Sequence, residues 1–244
     1  AHKMSALFNK HVPIPQIFQC KTIANLLNQV LGMGVIHIPI TQDKPQLSFA
    51  QERLLFIDRY EEGTNAYNIP ITLQLKTNID IAALLQSIQA ICQRHQVLRT
   101  IFKQDEQTGE YYQQLLEAKL DINQQGYINQ QDLDQHLTQN SNYIFKLEQE
   151  LPIKVWLYQY EDGDNQKQQI HPSYLLINIH HIAFDGWSID ILFKELNSYY
   201  NYYTKGTNID LPILSIQYKD FAVWQRNYLI GDTLDTQLKY WQEQ

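Results

Sequence analysis

The segment from Tyr174 to Ile179 is the part of the chain that most restricts its fold. It is an apolar run of strand length, interrupted only by Asn178, and such a run is typical of a strand that is buried on both faces. A strand of this kind needs secondary structure packed on each side of its sheet. The segment therefore favours a mixed α/β fold with an interior sheet.

Amphipathic helices and further strands are predicted on both sides of this run. Ser48, with Gln51 three residues later, forms a capping box that starts a helix through Ile57. Asp80 precedes a helix in which the apolar residues between Ile81 and Cys92 follow the helical period. Further strands are predicted at Ile69 to Leu75, Leu98 to Phe102, Tyr111 to Leu116 and Ile153 to Tyr158. Further helices are predicted at Ser188 to Tyr199, Ile216 to Tyr228 and Leu234 to Trp241.

The first part of the chain is predicted to form short helices, over residues 1 to about 33. Its apolar residues on one helical stripe are Ile23, Ala24, Leu26, Leu27, Val30 and Leu31. Gly32 and Gly34 end this stretch, and Ile36 to Pro45 is predicted to be an extended linker. Glu161 to Gln169 is predicted to be a polar loop.

Composition argues against several classes of function. The net charge of -7 gives no electrostatic basis for binding nucleic acid or an anionic membrane surface. No apolar run approaches the roughly 20 residues that span a bilayer. The two cysteines, Cys20 and Cys92, provide neither a disulfide framework nor a four-ligand zinc site, so a reducing, cytoplasmic setting is expected.

The candidate chemistry lies in the segment from Ile179 to Ser188. The predicted strand delivers His180 and His181, after which the chain turns through Asp185 and Gly186 into a helix. Buried polar groups cost free energy unless they are paired, so two histidines at the end of an apolar strand indicate a specific role. Adjacent strand residues point to opposite faces. We therefore expect one histidine to face a cavity and the other to be held by the structure.

The turn after the histidines has its own expected roles. Asp185 follows His181 by four residues, at a turn that we expect to be buried, where a carboxylate could orient an imidazole or pair with a buried arginine. Gly186 is expected to relieve the tight turn. Two other interpretations stay open: paired structural histidines, or a metal site. A metal site would need three converging ligands, and the other histidines lack that spacing.

Four segments, in order along the chain, resemble motifs of the condensation domains of nonribosomal peptide synthetases. His180 to Ser188, including Trp187, matches the HHxxxDGWS motif. Ser48 to Leu54 resembles the first motif of that family, Arg94 to Phe102 the second, and Tyr218 to Gln225 the fourth. The second segment departs from the family in having Gln at position 96 where Glu is usual. The resemblance covers residues 47 to 244.

The resemblance implies roles for the motif residues. His181 is expected to face the reaction site, with His180, Asp185 and Gly186 completing the catalytic segment. In the family the counterpart of Asp185 is held by an arginine, and Arg99 is a candidate for that partner. Arg94 and Arg99 have an alternative interpretation as solvated charges. The further motif positions, expected to have structural roles, are Arg94, Arg99, Trp187, Ser188, Tyr218, Asp220 and Trp224. Of these, Tyr218, Asp220 and Trp224 are expected to pack one helix in the fold.

The resemblance also implies a fold and a reaction. The fold would be an α+β sandwich similar to chloramphenicol acetyltransferase. The reaction would join a donor acyl or peptidyl thioester to an acceptor aminoacyl thioester through an amide bond. Expected partners are an upstream donor carrier protein, a downstream acceptor carrier protein and a neighbouring adenylation domain. Reactants would arrive on the carriers' 4'-phosphopantetheine arms, with no cofactor and no metal bound directly by this chain. Because the chain ends at Gln244, where the family continues into a second lobe, we expect an amino-terminal lobe that is inactive alone.

The first helices resemble the end of a peptidyl carrier protein. The matching stretches are Ser5 to Phe8, Val12 to Phe18 and Thr22 to Ala24. The carrier's phosphopantetheine-bearing serine motif is absent from this chain, and an ordinary helical extension is the alternative. The predicted organisation is therefore carrier-like helices at 1–33, a linker at 34–46, and the amino-terminal lobe of a condensation domain at 47–244.

Three other functions stay open at this point: a different HxxxD acyltransferase, an epimerization domain, and a non-catalytic module that docks carrier proteins. The flanking motifs argue against the first. The Gly186-Trp187-Ser188 sequence argues against the second, and the intact His181 argues against the third.

Overall fold

The structure is a computed structural model and describes residues 5, 12–20, 22–23, 25–26, 38–41, 45–61, 63–161 and 171–243. The chain divides into two compact units, Ala1–Pro39 and Ile40–Gln244. In the first unit, helix α1 spans Ile14–Gln19, and Ile17 packs against a buried cluster of Val12, Cys20 and Leu26. The other predicted stripe residues (Ala24, Leu27, Val30, Leu31) and both glycines that end the stretch lie outside the described residues.

The second unit interleaves helices and strands, as the sequence predicts. Its strands are β1 (Asn68–Leu75), β2 (Thr100–Gln104), β3 (Tyr111–Leu115), β4 (Ile122–Tyr127), β5 (Ile153–Tyr160) and β6 (Ser173–His180). Its helices are α2 (Phe49–Tyr60), α3 (Ile81–Arg94), α4 (Gln130–Ser141), α5 (Ser188–Lys205), α6 (Tyr218–Tyr228) and α7 (Gly231–Gln242). A 3₁₀ helix, Gln96–Arg99, follows α3.

The main sheet has the strand order β1-β6-β5-β4, and β2 pairs with β3 in a separate antiparallel hairpin. Strand β6 is antiparallel to both β1 and β5, and β4 is parallel to β5. In this register Asn68 lies opposite His180, and Ile153 lies opposite Ile179. Residues Leu175 to His180 are all buried, which confirms the interior strand predicted from the apolar run.

The two faces of β6 pack against different layers. Leu175, Ile177 and Ile179 belong to the large core that contains the apolar residues of α3 and α5. On the opposite face, Leu176 packs with Trp156, Tyr158 and Leu133. Because side chains alternate along a strand, His180 lies on this second face together with Asn178. The Asn178 amide donates to the carbonyls of Asn140 and Ser141 at the end of α4, at 2.9 and 3.0 Å. The strand therefore places the His180 side chain on the packed second face of the sheet.

Capping residues in the sequence correctly predicted the starts of two helices. The Ser48 hydroxyl accepts from the Gln51 N–H at 3.2 Å, and the Gln51 side chain accepts from the Ser48 N–H at 3.1 Å, so the capping box is confirmed. Asp80 caps α3 by accepting from the Ala83 N–H at 2.9 Å. Helix α5 continues six residues beyond the predicted end and stops at Gly206, whose φ of 66° lies in the left-handed region that favours glycine.

Other expectations were wrong or incomplete. The strand predicted to begin at Leu98 begins at Thr100, because the preceding residues form the 3₁₀ helix. Strand β4 and helix α4 were not predicted, since their sequences are polar and Leu133 is the residue of α4 that is buried. A signal for α4 exists in Asn129, whose side chain accepts from the Asp132 N–H at 2.9 Å. Most of the predicted polar loop after Glu161 lies outside the described residues.

Candidate active site

A cavity of about 590 Å³ lies in the second unit, next to the end of β6. Its wall combines apolar side chains with a few polar ones, which is the usual composition of a ligand site. The polar side chains of the wall are Arg53, Tyr67, His95, His181, Asp185, Ser188, Gln217 and Tyr218. A larger cavity of about 820 Å³ is lined by Arg94 and contains neither motif histidine, so we assign the candidate chemistry to the smaller one.

His180 is fully buried and held in a fixed orientation. Its Nδ1 accepts from the Ile182 N–H at 3.1 Å, and its ring lies 5.9 Å from the ring of Phe145. Its Nε2 is buried and has no hydrogen-bond partner among the described residues. Burial, and secondarily the nearby His181, lower the pKa of His180 to about 4. At neutral pH this histidine is therefore uncharged, with its proton on Nε2.

The lowered pKa predicts acid sensitivity of folding. A histidine in the unfolded chain has a pKa of about 6.5, so between about pH 6.5 and pH 4 the unfolded state binds a proton that the folded state does not. The stability contribution is complete above pH 6.5 and is lost as the pH falls. His180→Asn keeps an acceptor for Ile182 and does not titrate. We expect the wild-type protein to lose about 2 kcal/mol of unfolding free energy between pH 7 and pH 5 relative to this variant, measured by urea denaturation. Parallel pH dependences of the two proteins would contradict this expectation.

His181 occupies the opposite situation. Its side chain is exposed and lines the cavity, and its backbone N–H donates to the Tyr67 carbonyl at 2.8 Å. The structure thus separates the two histidines as strand alternation requires, with His180 enclosed and His181 at the open site.

The turn after the histidines differs from expectation. Asp185 is exposed, so the expectation of a buried turn was wrong. Its Oδ1 accepts from the Ser188 N–H at 2.9 Å and from the Ser188 hydroxyl at 2.6 Å. Ser188 is the first residue of α5, and the first N–H groups of a helix lack partners within the helix. Asp185 therefore provides a hydrogen-bond acceptor for a backbone N–H group at the start of α5.

Gly186 and Trp187 also differ from a tightly packed turn. A Cβ atom on Gly186 would meet nothing within 4 Å, and its φ lies outside the left-handed region. The backbone itself therefore does not require glycine here, contrary to the expectation that Gly186 relieves a tight turn. The Trp187 side chain is 83% exposed. Neither position is tightly packed.

Arg99 does not pair with Asp185, and it is not a solvated charge. It is buried, with its guanidinium donating to the carbonyls of Cys92 at 2.9 Å, Gln93 at 3.2 Å and Leu116 at 3.0 Å. The first two carbonyls belong to the last turn of α3, where helix carbonyls lack partners within the helix. Arg99 is therefore a cationic cap of the α3 carboxyl end, which the helix dipole also favours.

Arg94 is likewise largely buried and paired. Its Nε donates to Glu195 of α5 at 2.9 Å, and its terminal NH2 donates to the Pro212 carbonyl at 2.5 Å. The solvated interpretation of Arg94 is therefore wrong as well. The second motif segment acts at the end of α3, with Arg94 tying it to α5 and Arg99 capping it.

Comparison with known proteins supports the family resemblance that the four ordered motif segments indicate. A model described as the condensation domain matches residues 41–244. The chain belongs to the condensation-domain family. A linear gramicidin synthase of Brevibacillus parabrevis is 33% identical over 254 residues, which cover 100% of this chain and 5% of that protein. Bassianolide nonribosomal cyclodepsipeptide synthetase of Beauveria bassiana is 37% identical over 240 residues, which cover 95% and 7% respectively.

Solved structures place this condensation domain in the expected fold. The X-domain from teicoplanin biosynthesis superimposes with a TM-score of 0.70 at 24% identity, covering 84% of this chain and 44% of that one. The starter condensation domain of rhizomide synthetase superimposes with a TM-score of 0.68 at 16% identity, covering 83% and 48%. The predicted α/β fold of the chloramphenicol acetyltransferase type is confirmed. The chain spans about half of these solved chains and between 2% and 7% of its curated relatives.

The fourth motif segment makes packing contacts within the condensation domain. The Asp220 carboxylate is buried and accepts from the Gln217 N–H at 2.8 Å and from the Thr41 N–H at 2.7 Å. The Trp224 ring stacks on Tyr228 with centroids 4.9 Å apart. Tyr218 combines a packing contact with a place on the cavity wall. Its hydroxyl lies 3.0 Å from that of Ser48, and its side chain lines the cavity.

Some polar residues on the cavity wall were not predicted from the sequence. Arg53 and Tyr67 lie there, as does His95, which sequence spacing alone did not single out. A signal for Arg53 and His95 was available, since each lies within a motif segment. Across the described ranges, no group of three or more His, Cys, Asp or Glu side chains is arranged to hold a metal ion. In the same ranges, no helix has the length and apolarity needed to cross a membrane.

Proposed function

We propose that this condensation domain forms an amide bond between two carrier-bound reactants. The amine of an acceptor aminoacyl thioester attacks the carbonyl carbon of a donor acyl or peptidyl thioester. The new C–N bond replaces the donor C–S bond, the thiol leaves, and the amine loses a proton. The observation that carries this proposal is the position of His181, whose side chain lines an open cavity at the end of a buried strand.

His181 is proposed as the residue that handles the amine. An imidazole can both hold the attacking amine through a hydrogen bond and accept the proton that is released. The neighbouring His180 is suited to a different role. Because the pKa of His180 is lowered to about 4, it adds no charge beside His181 at neutral pH and anchors the strand end.

Asp185, Gly186 and Ser188 are proposed to shape the loop that follows His181. Asp185 fixes the first turn of α5 through Ser188, and the open space at Gly186 leaves room for a reactant. The cavity volume of about 590 Å³ lies within the usual range of small-molecule sites, which is compatible with reactants on 4'-phosphopantetheine.

The proposed partners are an upstream donor carrier, a downstream acceptor carrier and an adenylation domain. Supporting this, the curated relatives are synthetases of which this chain matches a small part. Residues 1–33 are proposed to be the last helices of a carrier protein, 34–46 a linker, and 47–244 the amino-terminal lobe. Similarity to the gramicidin synthase extends over 100% of the chain, which supports assigning the first unit to the same assembly. A cytoplasmic location is proposed on the same basis.

The test is an amide-forming assay with two separately loaded carrier proteins. The assay uses a longer polypeptide that includes this chain and is about as long as the solved condensation domains. We expect a dipeptidyl thioester on the acceptor carrier, detected by mass spectrometry. Acceptor carrier that lacks its phosphopantetheine arm is the control. Product formed only from acyl-CoA donors would favour a different HxxxD acyltransferase, inversion of the donor α-carbon without transfer would favour an epimerization domain, and carrier binding without product would favour a docking module.

A further inference from the structure

A buried carboxylate outside the motif segments lies between the guanidinium of one residue and the imidazole of another. Glu195, in the middle of α5, is 4% exposed. One of its oxygens accepts from Arg94 Nε at 2.9 Å, and the other lies 2.6 Å from His95 Nε2. Arg94 and His95 are adjacent residues at the end of α3, so they hold both oxygens of the same carboxylate.

This arrangement determines which nitrogen of His95 can act on a ligand. A carboxylate accepts hydrogen bonds, so Nε2 carries the proton that it donates to Glu195. In the neutral ring the lone pair then lies on Nδ1. Nδ1 has no hydrogen-bond partner among the described residues, and the His95 side chain lines the same cavity as His181. His95 is thus a cavity-lining residue whose oriented ring has a hydrogen-bond acceptor, Nδ1, that no described residue uses.

Packing alone does not account for this imidazole. Arg94 already supplies a charge to balance Glu195, and it lies toward the larger cavity. The His95 side chain keeps 24% of its surface exposed, whereas the Glu195 side chain that holds it keeps 6%. A buried carboxylate that fixes the tautomer and direction of an accessible imidazole is an arrangement that proteins use where the free ring nitrogen has a task.

We propose that His95 is a substrate-binding residue of this condensation domain. Its Nδ1 accepts a hydrogen bond from an N–H group of a carrier-bound reactant, and Glu195 and Arg94 are the positioning residues that aim it. The inference rests on the proposed function, because it assigns a second contact in the same reaction site. The N–H group belongs either to the donor or to the acceptor, and the kinetic test distinguishes the two.

The first test is steady-state kinetics with donor and acceptor supplied as aminoacyl thioesters of pantetheine. For His95→Ala we expect the KM of one reactant to rise about tenfold, which corresponds to about 1.4 kcal/mol, while the KM of the other and kcat stay within about twofold. His136→Ala is a matched control: His136 has the same 24% side-chain exposure and a carboxylate partner, Asp132 at 3.2 Å, but it lies on α4 and does not line the cavity. A purely structural role predicts lower stability with both KM values unchanged, and that result would overturn the proposal.

The positioning role of Glu195 is tested by a double-mutant cycle. Glu195→Gln keeps the side-chain volume but removes the charge that holds the imidazole. We expect it to raise the same KM in the wild-type background and to have little further effect on that KM in the His95→Ala background. Equal effects in both backgrounds would show that Glu195 does not act through His95.

A binding measurement on the 244-residue chain separates this inference from the proposed reaction. The probe is glycyl pantetheine with nitrogen in place of the thioester sulfur, which cannot transfer its glycyl group, and the readout is the ¹⁵N resonance of each imidazole nitrogen. We expect the His95 Nδ1 resonance to shift and the His136 resonances to stay. A shift without amide formation by the longer polypeptide would refute the reaction but keep the binding site. Amide formation with no His95 shift and no KM change would refute the binding site but keep the reaction.

Discussion

Replacing His181 with alanine is expected to slow amide formation by about 10²- to 10⁴-fold, the usual contribution of a positioned general acid–base group. The imidazole lines the cavity, while its neighbour His180 is enclosed between layers and has a pKa of about 4. His180 therefore cannot take over proton transfer near neutral pH. The measurement is the single-turnover rate with saturating loaded carriers, so that weaker carrier binding is not counted as slower chemistry.

The control for His181→Ala is again His136→Ala, which should keep the wild-type rate. Because the His181 side chain is exposed, its removal should change the melting temperature little. A rate that falls together with the melting temperature would indicate a structural role. Undiminished product formation by a folded His181→Ala protein would remove this residue from the reaction.

Arg99→Met is expected to lower the free energy of unfolding by about 3–5 kcal/mol, because several buried carbonyls lose their donor and each unsatisfied buried group costs about 1–3 kcal/mol. The substitution keeps an unbranched apolar stem but leaves the carbonyls of Cys92, Gln93 and Leu116 without the guanidinium. It also removes the positive charge from the carboxyl end of α3. The ion pair with Glu117 adds little, because the Glu117 side chain is 83% exposed.

The stability change is measured by urea denaturation of both proteins at pH 7, where His180 titration does not contribute. Lys103→Met is the control, since Lys103 is a half-buried cation of the adjoining strand β2 and should cost less than about 1 kcal/mol. A loss of that small size for Arg99→Met would mean that water or other side chains satisfy the helix carbonyls.

Features of the fold that depend on neighbours in sequence were predictable from the sequence. The alternation of adjacent strand residues predicted that His180 and His181 diverge, and the apolar run predicted a strand buried on both faces. The capping side chains of Ser48 and Asp80 located two helix starts, because each bonds a backbone group within three residues. Strand β4, at the edge of the sheet, and helix α4 escaped prediction, since both are polar segments that carry little hydrophobic pattern.

By itself, the sequence determined the family, the interior strand and the segment that carries the two histidines, because these follow from local pattern and motif order. Tertiary structure alone decided that Arg99 caps α3 and does not reach Asp185, and that Glu195 meets His95 across 100 positions of chain. The physical reason is that hydrogen bonds and burial depend on distance in space. A sequence contains many polar or oppositely charged residues that could pair with a given charged side chain. Packing of the layers brings only a few of them within bonding distance.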